Sequence, residues 1–160
     1  SGKSSWAENH VIQSGYDKVY IATAQPWDDE MQTKVRRHQD RRGQNWYTVE
    51  APMDVATPLS QVRPDQIVLL DCATMWLSNH LLAESALAQE EDRFLQALAA
   101  CPAPVVVVTN EVGLSVVPEN ALARLFRDAQ GRLNQKIAEQ ADLVVAVMAG
   151  LPLALKGQLP

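Results

Sequence analysis

Ser1-Gly2-Lys3-Ser4 opens the chain and runs straight into a helical pattern over Ser4–Gln13, with Ala7 and Val11 on one face. These four residues match the last half of G-x-x-x-x-G-K-[ST], the phosphate-binding loop. That chemistry needs backbone N–H groups and a helix N-terminus facing the phosphates, a lysine reaching the β- and γ-phosphates, and a hydroxyl on Mg2+. Lys3 and Ser4 supply the last two. A lone G-K-S arises by chance in about one chain in ten of this length, so the helix that follows it carries much of the weight. The first glycine of the loop and the strand ahead of it would precede Ser1. With that strand taken as ~5 residues, the natural chain is expected to start about ten residues earlier.

Working outward, four short apolar runs read as buried strands: Val19–Thr23, Ile67–Asp71, Val105–Thr109 and Leu143–Met148. They show little alternation, as expected of strands covered on both faces. Helical patterns lie between them, over Ser4–Gln13, Asp28–Asp40, Asn79–Ala88, Glu91–Ala100 and Glu119–Gln140. Strands alternating with helices predict an α/β fold with a mostly parallel sheet built from right-handed crossovers. Ligands in such sheets sit at the carboxyl ends of the strands. Ile67-Val68-Leu69-Leu70-Asp71 ends in an acid at such a position, where a carboxylate can hold Mg2+. The alternative is an aspartate that caps the next turn.

The 160 residues predict one domain with a real core. Apolar residues are 47% and charged residues 21%, which excludes a disordered chain. Val105–Val108 and Leu143–Gly150 are too short to cross a bilayer. No charged leader precedes an apolar segment, so a cytoplasmic protein is expected. Cys72 and Cys101 have no partners at metal-ligand spacing and read as free thiols.

The net charge is −5, yet Lys34, Arg36, Arg37, Arg41 and Arg42 crowd five of the 14 cationic residues together. Met31, Val35 and His38 share a face of the same predicted helix. Three readings of this stretch stand: a solvated basic face, a nucleic-acid patch, or a nucleotide site in which arginines neutralise a triphosphate and His38 is the nucleophile. A neutral imidazole attacks phosphorus well, and its pKa lies near working pH. The acidic balance of the whole chain counts against the nucleic-acid module. His10 reads as a surface helix residue and His80 as a helix-start residue. Asn110 and Glu111 follow a predicted strand at its carboxyl end, as site residues or as a simple turn. Trp27, Trp46 and Trp76 could line a surface for a large ligand or pack in a core or interface.

Taken together, these stretches resemble the bifunctional adenosylcobinamide kinase / adenosylcobinamide-phosphate guanylyltransferases of cobalamin biosynthesis. The resemblance runs in order through Ser1–Ser4, Tyr20–Ala24, Asp28–Met31, Arg37-His38 to Arg41-Arg42 with Trp46, and Thr48–Glu50. It continues through Leu69–Cys72, Trp76–Asn79, Val108–Gly113, Val117–Glu119, Phe126–Asp128 and Gly131–Asn134. It implies a RecA-like P-loop domain over residues 1–160. It also implies phosphorylation of adenosylcobinamide by ATP or GTP, then transfer of GMP from GTP to that phosphate, carried on a histidine. By position that histidine is His38. The family's nucleotide contacts fall on Ser1, Gly2, Lys3 and Ser4, on Ala22, Thr23 and Ala24, on Gln39, Asp40, Arg41 and Arg42, on Glu50 and on Asp71. Ser4 and Asp71 would hold Mg2+. Members similar to this chain form trimers, so a homotrimer is expected. A P-loop small-molecule kinase with no guanylyl step is the rival within the same fold.

Overall fold

Ile67, Val68, Leu69 and Leu70 are all buried, and the sheet is organised around them. The computed structural model describes residues 1–25 and 45–160. The predicted helix Asp28–Asp40, Trp27 and the basic stretch with His38 lie outside the described residues.

Helix α1 (Lys3–Gln13) leads into strand β1 (Asp17–Ala22). After the undescribed stretch come β2 (Trp46–Glu50), the short helix α2 (Ala56–Ser60) and β3 (Gln66–Asp71). Helices α3 (Ala73–Leu82) and α4 (Leu87–Ala100) precede β4 (Val105–Val108). Helix α5 (Ala121–Gln140) is followed by β5 (Val144–Met148) and β6 (Leu151–Lys156). Four strands form one parallel sheet in the order β2-β1-β3-β4.

The central strands bury both faces, as their unbroken apolar character predicts. Val19, Ile21, Val68 and Leu70 pack with Trp76, Leu77, Phe94 and Leu133 from α3, α4 and α5. Tyr20, Ile67 and Leu69, on the alternate face, meet Ala7 and Val11 of α1. Alternation of side chains along a strand thus gives each face its own core.

Three strand expectations hold to within two residues, and the fourth finds a different partner. Leu143–Met148 contributes β5, which pairs antiparallel with β6 in a separate two-stranded sheet. Helix α1 packs on β3, β4 and β5 and so ties the two sheets together. Strand β2 escaped the sequence reading because it is an edge strand, largely exposed, without an apolar run. Strand β6 contains Pro152, which is tolerated at an edge.

The expected helix Asn79–Ala88 is displaced. Its first half belongs to α3, which begins at Ala73, and its last residues open α4. The break is a Schellman turn: Ser85 N–H donates to the His80 carbonyl and Glu84 N–H to that of Leu81. Glu84 takes the left-handed position, φ 52°, usually held by glycine. No glycine marked the stop, so the pattern read through it. His80 is accordingly near the end of α3, buried against Trp76, with Nε2 3.1 Å from the Met53 carbonyl. His10 is half-buried and stacks on Trp6 rather than standing free on the surface.

Trp76 is 1% exposed, stacked against Phe94, with Nε1 donating to the Met53 carbonyl at 2.8 Å. It is a core residue, not a lining for a corrinoid or a subunit interface. Trp76→Ala should cost about 3–5 kcal/mol of unfolding free energy, read from the urea midpoint.

Candidate active site

The parallel register brings the carboxyl ends of four strands into one row. Ala22 is paired with Glu50 on one side and with Asp71 on the other, and Asp71 is paired with Val108. Three residues marked in the sequence, Glu50, Ala22 and Asp71, therefore stand side by side. Adjacent strands are about 4.8 Å apart, so the two acids flank Ala22 at roughly 10 Å from each other.

This edge is braced from within. The Thr23 hydroxyl accepts the Cys72 N–H at 2.8 Å and donates to the Cys72 carbonyl at 2.7 Å. Thr23 N–H donates to the Asp71 carbonyl at 3.2 Å, and Ala51 N–H to that of Ala22 at 2.8 Å. Asn79 Nδ2 donates to the carbonyls of Thr23 and Pro52, both at 2.9 Å. Thr23 is fully buried. Its hydroxyl locks β1 to β3, and its N–H and carbonyl are taken by Asp71 and Asn79, so Thr23 braces this edge from within and is not open to a nucleotide.

Asp71 is half-buried, and its Oδ2 accepts the Tyr20 hydroxyl at 3.2 Å. The sequence reading did not single out Tyr20 on its own. Burial pushes the Cys72 thiol above the usual thiol range, while Asp71 raises it further and Lys3 opposes. Lys3 and Asp71 thus both act electrostatically on the same strand end.

Gly2 caps α1 in the left-handed conformation, φ 93°, and its carbonyl accepts the Trp6 N–H at 3.0 Å. A β-carbon on Gly2 would lie 3.0 Å from the Gly150 α-carbon, so the backbone approach there requires glycine. The Gly150 N–H donates to the Ser1 carbonyl at 2.9 Å. Ser1–Ser4 therefore form a helix N-terminus fixed by the β5–β6 turn, the geometry that suits an anion. Among the described residues no three His, Cys, Asp or Glu side chains come together. The oxygen donors at Ser4 and Asp71 suit Mg2+, which takes one or two protein ligands and completes its shell with water and phosphate.

Beyond β4, Thr109 and Asn110 enter a polar cluster with Thr74, Gln130 and Asn134. The sequence reading marked Asn110 and Glu111 but missed these partners. A signal was available: Gln130 and Asn134 interrupt the apolar stripe of Phe126, Leu133 and Ile137. His38, Gln39, Asp40, Arg41 and Arg42 lie outside the described residues.

The cobinamide kinase / cobinamide phosphate guanyltransferase family matches residues 1–155. The chain belongs to that family. It is 41% identical to the bifunctional adenosylcobalamin biosynthesis protein CobP of Pseudomonas aeruginosa, over 99% of this chain and 93% of the relative. It is 40% identical to the protein of the same description, CobU, from Salmonella typhimurium, over 98% and 94% of the two chains. CobU of Escherichia coli is 37% identical over the same shares. The enzyme class follows: a transferase, both kinase and guanylyltransferase, of cobalamin biosynthesis. No helix among the described residues is long and apolar enough to cross a membrane.

Two outcomes test the internal bracing. Thr23→Val should lose about 1–3 kcal/mol of stability, because both Cys72 backbone groups lose a buried partner, while Thr23→Ser should retain most of it. In native protein near about pH 8, a thiol reagent should label the half-buried Cys101 and spare Cys72 until the chain is unfolded, followed by mass spectrometry.

Proposed function

We propose that one nucleotide site serves this family's chemistry at the carboxyl edge of the sheet, with His38 carrying GMP. The observation that supports it most is the register row. Glu50, Ala22 and Asp71 are neighbours there, and Lys3 opens α1, which packs on β3.

In the kinase reaction, the N-terminus of α1 and Lys3 hold the β- and γ-phosphates of ATP or GTP. Ser4 and Asp71 would hold Mg2+, which would supply positive charge against those phosphates. The aminopropanol hydroxyl of adenosylcobinamide attacks the γ-phosphorus. The bond to the β-phosphate oxygen breaks and releases ADP or GDP, the hydroxyl proton passes to solvent, and adenosylcobinamide phosphate forms.

In the guanylyl reaction, a neutral ring nitrogen of His38 attacks the α-phosphorus of GTP. A P–N bond forms as the P–O bond to pyrophosphate breaks. A phosphate oxygen of adenosylcobinamide phosphate then attacks this phosphoramidate, forming adenosylcobinamide-GDP and releasing His38. Splitting the transfer over a histidine replaces one difficult step by two easier ones. Gln39, Asp40, Arg41 and Arg42 would contact the nucleotide beside His38, with Glu50, Ala22 and Ala24 completing the site. The resemblance also supports a cytoplasmic homotrimer.

The test is intact mass of the protein after incubation with GTP and Mg2+, beside His38→Ala. Wild-type protein should gain one GMP that is labile to acid, stable to base and absent from the variant. A wild type that binds GTP yet gains nothing would sink the histidine step and leave a plain kinase.

A further inference from the structure

Three side chains of α5 hold one turn by its backbone and its hydroxyl. Asn134 Nδ2 donates to the Asn110 carbonyl at 3.0 Å, and Asn134 Oδ1 accepts the Thr109 hydroxyl at 2.7 Å. Gln130 Nε2 donates to the Thr109 hydroxyl oxygen at 3.0 Å and to Asn134 Oδ1 at 2.8 Å. Arg127 Nη2 donates to the Gly113 carbonyl at 2.8 Å. Positions 127, 130 and 134 fall on one helical face. From the other side, Thr74 at the start of α3 accepts the Asn110 N–H at 2.8 Å.

The grip is more than helix packing requires. The same helix already packs through Ala129 and Leu133, both fully buried. Gln130, equally buried, places an amide where an apolar side chain would fill the space without desolvating a polar group. What hydrogen bonds add is a fixed backbone position. That backbone leaves β4 one residue after Val108, the partner of Asp71 in the register row. Within the turn, Glu111 Oε1 accepts the Gly113 N–H at 2.8 Å, which orients the carboxylate.

We propose that Asn134 is a positioning residue. With Gln130 and Arg127 it latches residues 109–113 to α5, so that Asn110 and Glu111 are presented to bound substrate at the sheet edge. The inference rests on the nucleotide site proposed above.

The test compares full-length wild type, Asn134→Asp and Lys136→Ala in ATP-dependent phosphorylation of adenosylcobinamide. Asn134→Asp keeps the oxygen facing Thr109 and replaces the donor facing the Asn110 carbonyl. Lys136→Ala, on the same helix as Asn134, removes a 2.9 Å ion pair to buried Glu91 of α4 and leaves the turn untouched. Asn134→Asp should lower kcat about 10- to 100-fold, with the nucleotide KM within about threefold of wild type. Lys136→Ala should lower the melting temperature and keep kcat per folded molecule. An Asn134→Asp kcat within about twofold of wild type, or a loss that only follows the folded fraction, overturns the proposal. Should Asn134→Asp not fold, Arg127→Ala at the rim decides. A kcat loss of about threefold or more at unchanged melting supports the latch, and an unchanged kcat overturns it. Wild type that phosphorylates nothing would instead sink the proposed function itself.

Discussion

Two-sided burial of β3 is the constraint on which the rest depends. A strand whose Ile67, Val68, Leu69 and Leu70 are all withdrawn from water needs neighbours in the sheet and helices over both faces. Each fully buried aliphatic side chain is worth about 1.5–3 kcal/mol, so exposing the pair on either face would remove about 3–6 kcal/mol, a large part of a typical domain's margin of about 5–15 kcal/mol. Parallel pairing with crossover helices satisfies the demand, and it has a geometric consequence. Every strand ends at the same edge, so the backbone groups that no longer have ladder partners collect there. A phosphate-handling site needs that supply of oriented N–H groups and short side chains.

The features that decide the fold are local in sequence, and those that refine the site are not. The apolar runs of β1, β3 and β4 were legible because burial on both faces leaves an unbroken pattern. The places of Lys3 and Ser4 at the start of α1 and of Asp71 at the carboxyl end of β3 were legible from the helical pattern after Gly2 and the apolar run before Asp71. Edge strand β2 was not, since its exposure removes the pattern. The end of α3 was not either, because Glu84 occupies a conformation that its residue type does not advertise. Trp76 could not be assigned to core or surface until α4 supplied Phe94 as its neighbour. The contacts of Thr23 with Cys72 and of Asn134 with Asn110 span 49 and 24 residues, beyond any local pattern.

The two kinds of contact do different work. Apolar packing of Leu133, Phe94 and Trp76 sets the stability of the sheet–helix layers but tolerates small shifts. The Thr23 hydroxyl and the amides of Asn79, Gln130 and Asn134 are directional, and each ends on backbone or on a group attached to the carboxyl edge. Polar groups in a core gain little net free energy, and an unmatched one is costly. Their concentration at one end of the sheet is therefore better explained by placement of that end than by stability.

In the proposed site one edge serves two transfers. Phosphoryl and guanylyl transfer both pass through a phosphorus centre with charge spread over its oxygens, and the protein contributes mainly position and positive potential. A fixed row of strand ends provides position for both. What distinguishes them is which phosphorus faces the nucleophile. In the proposed single site the sheet edge is the shared half, and the reaction is selected by what approaches it. This division makes a strained or mobile sheet unnecessary, consistent with strand ends held by buried hydrogen bonds on both sides of Asp71.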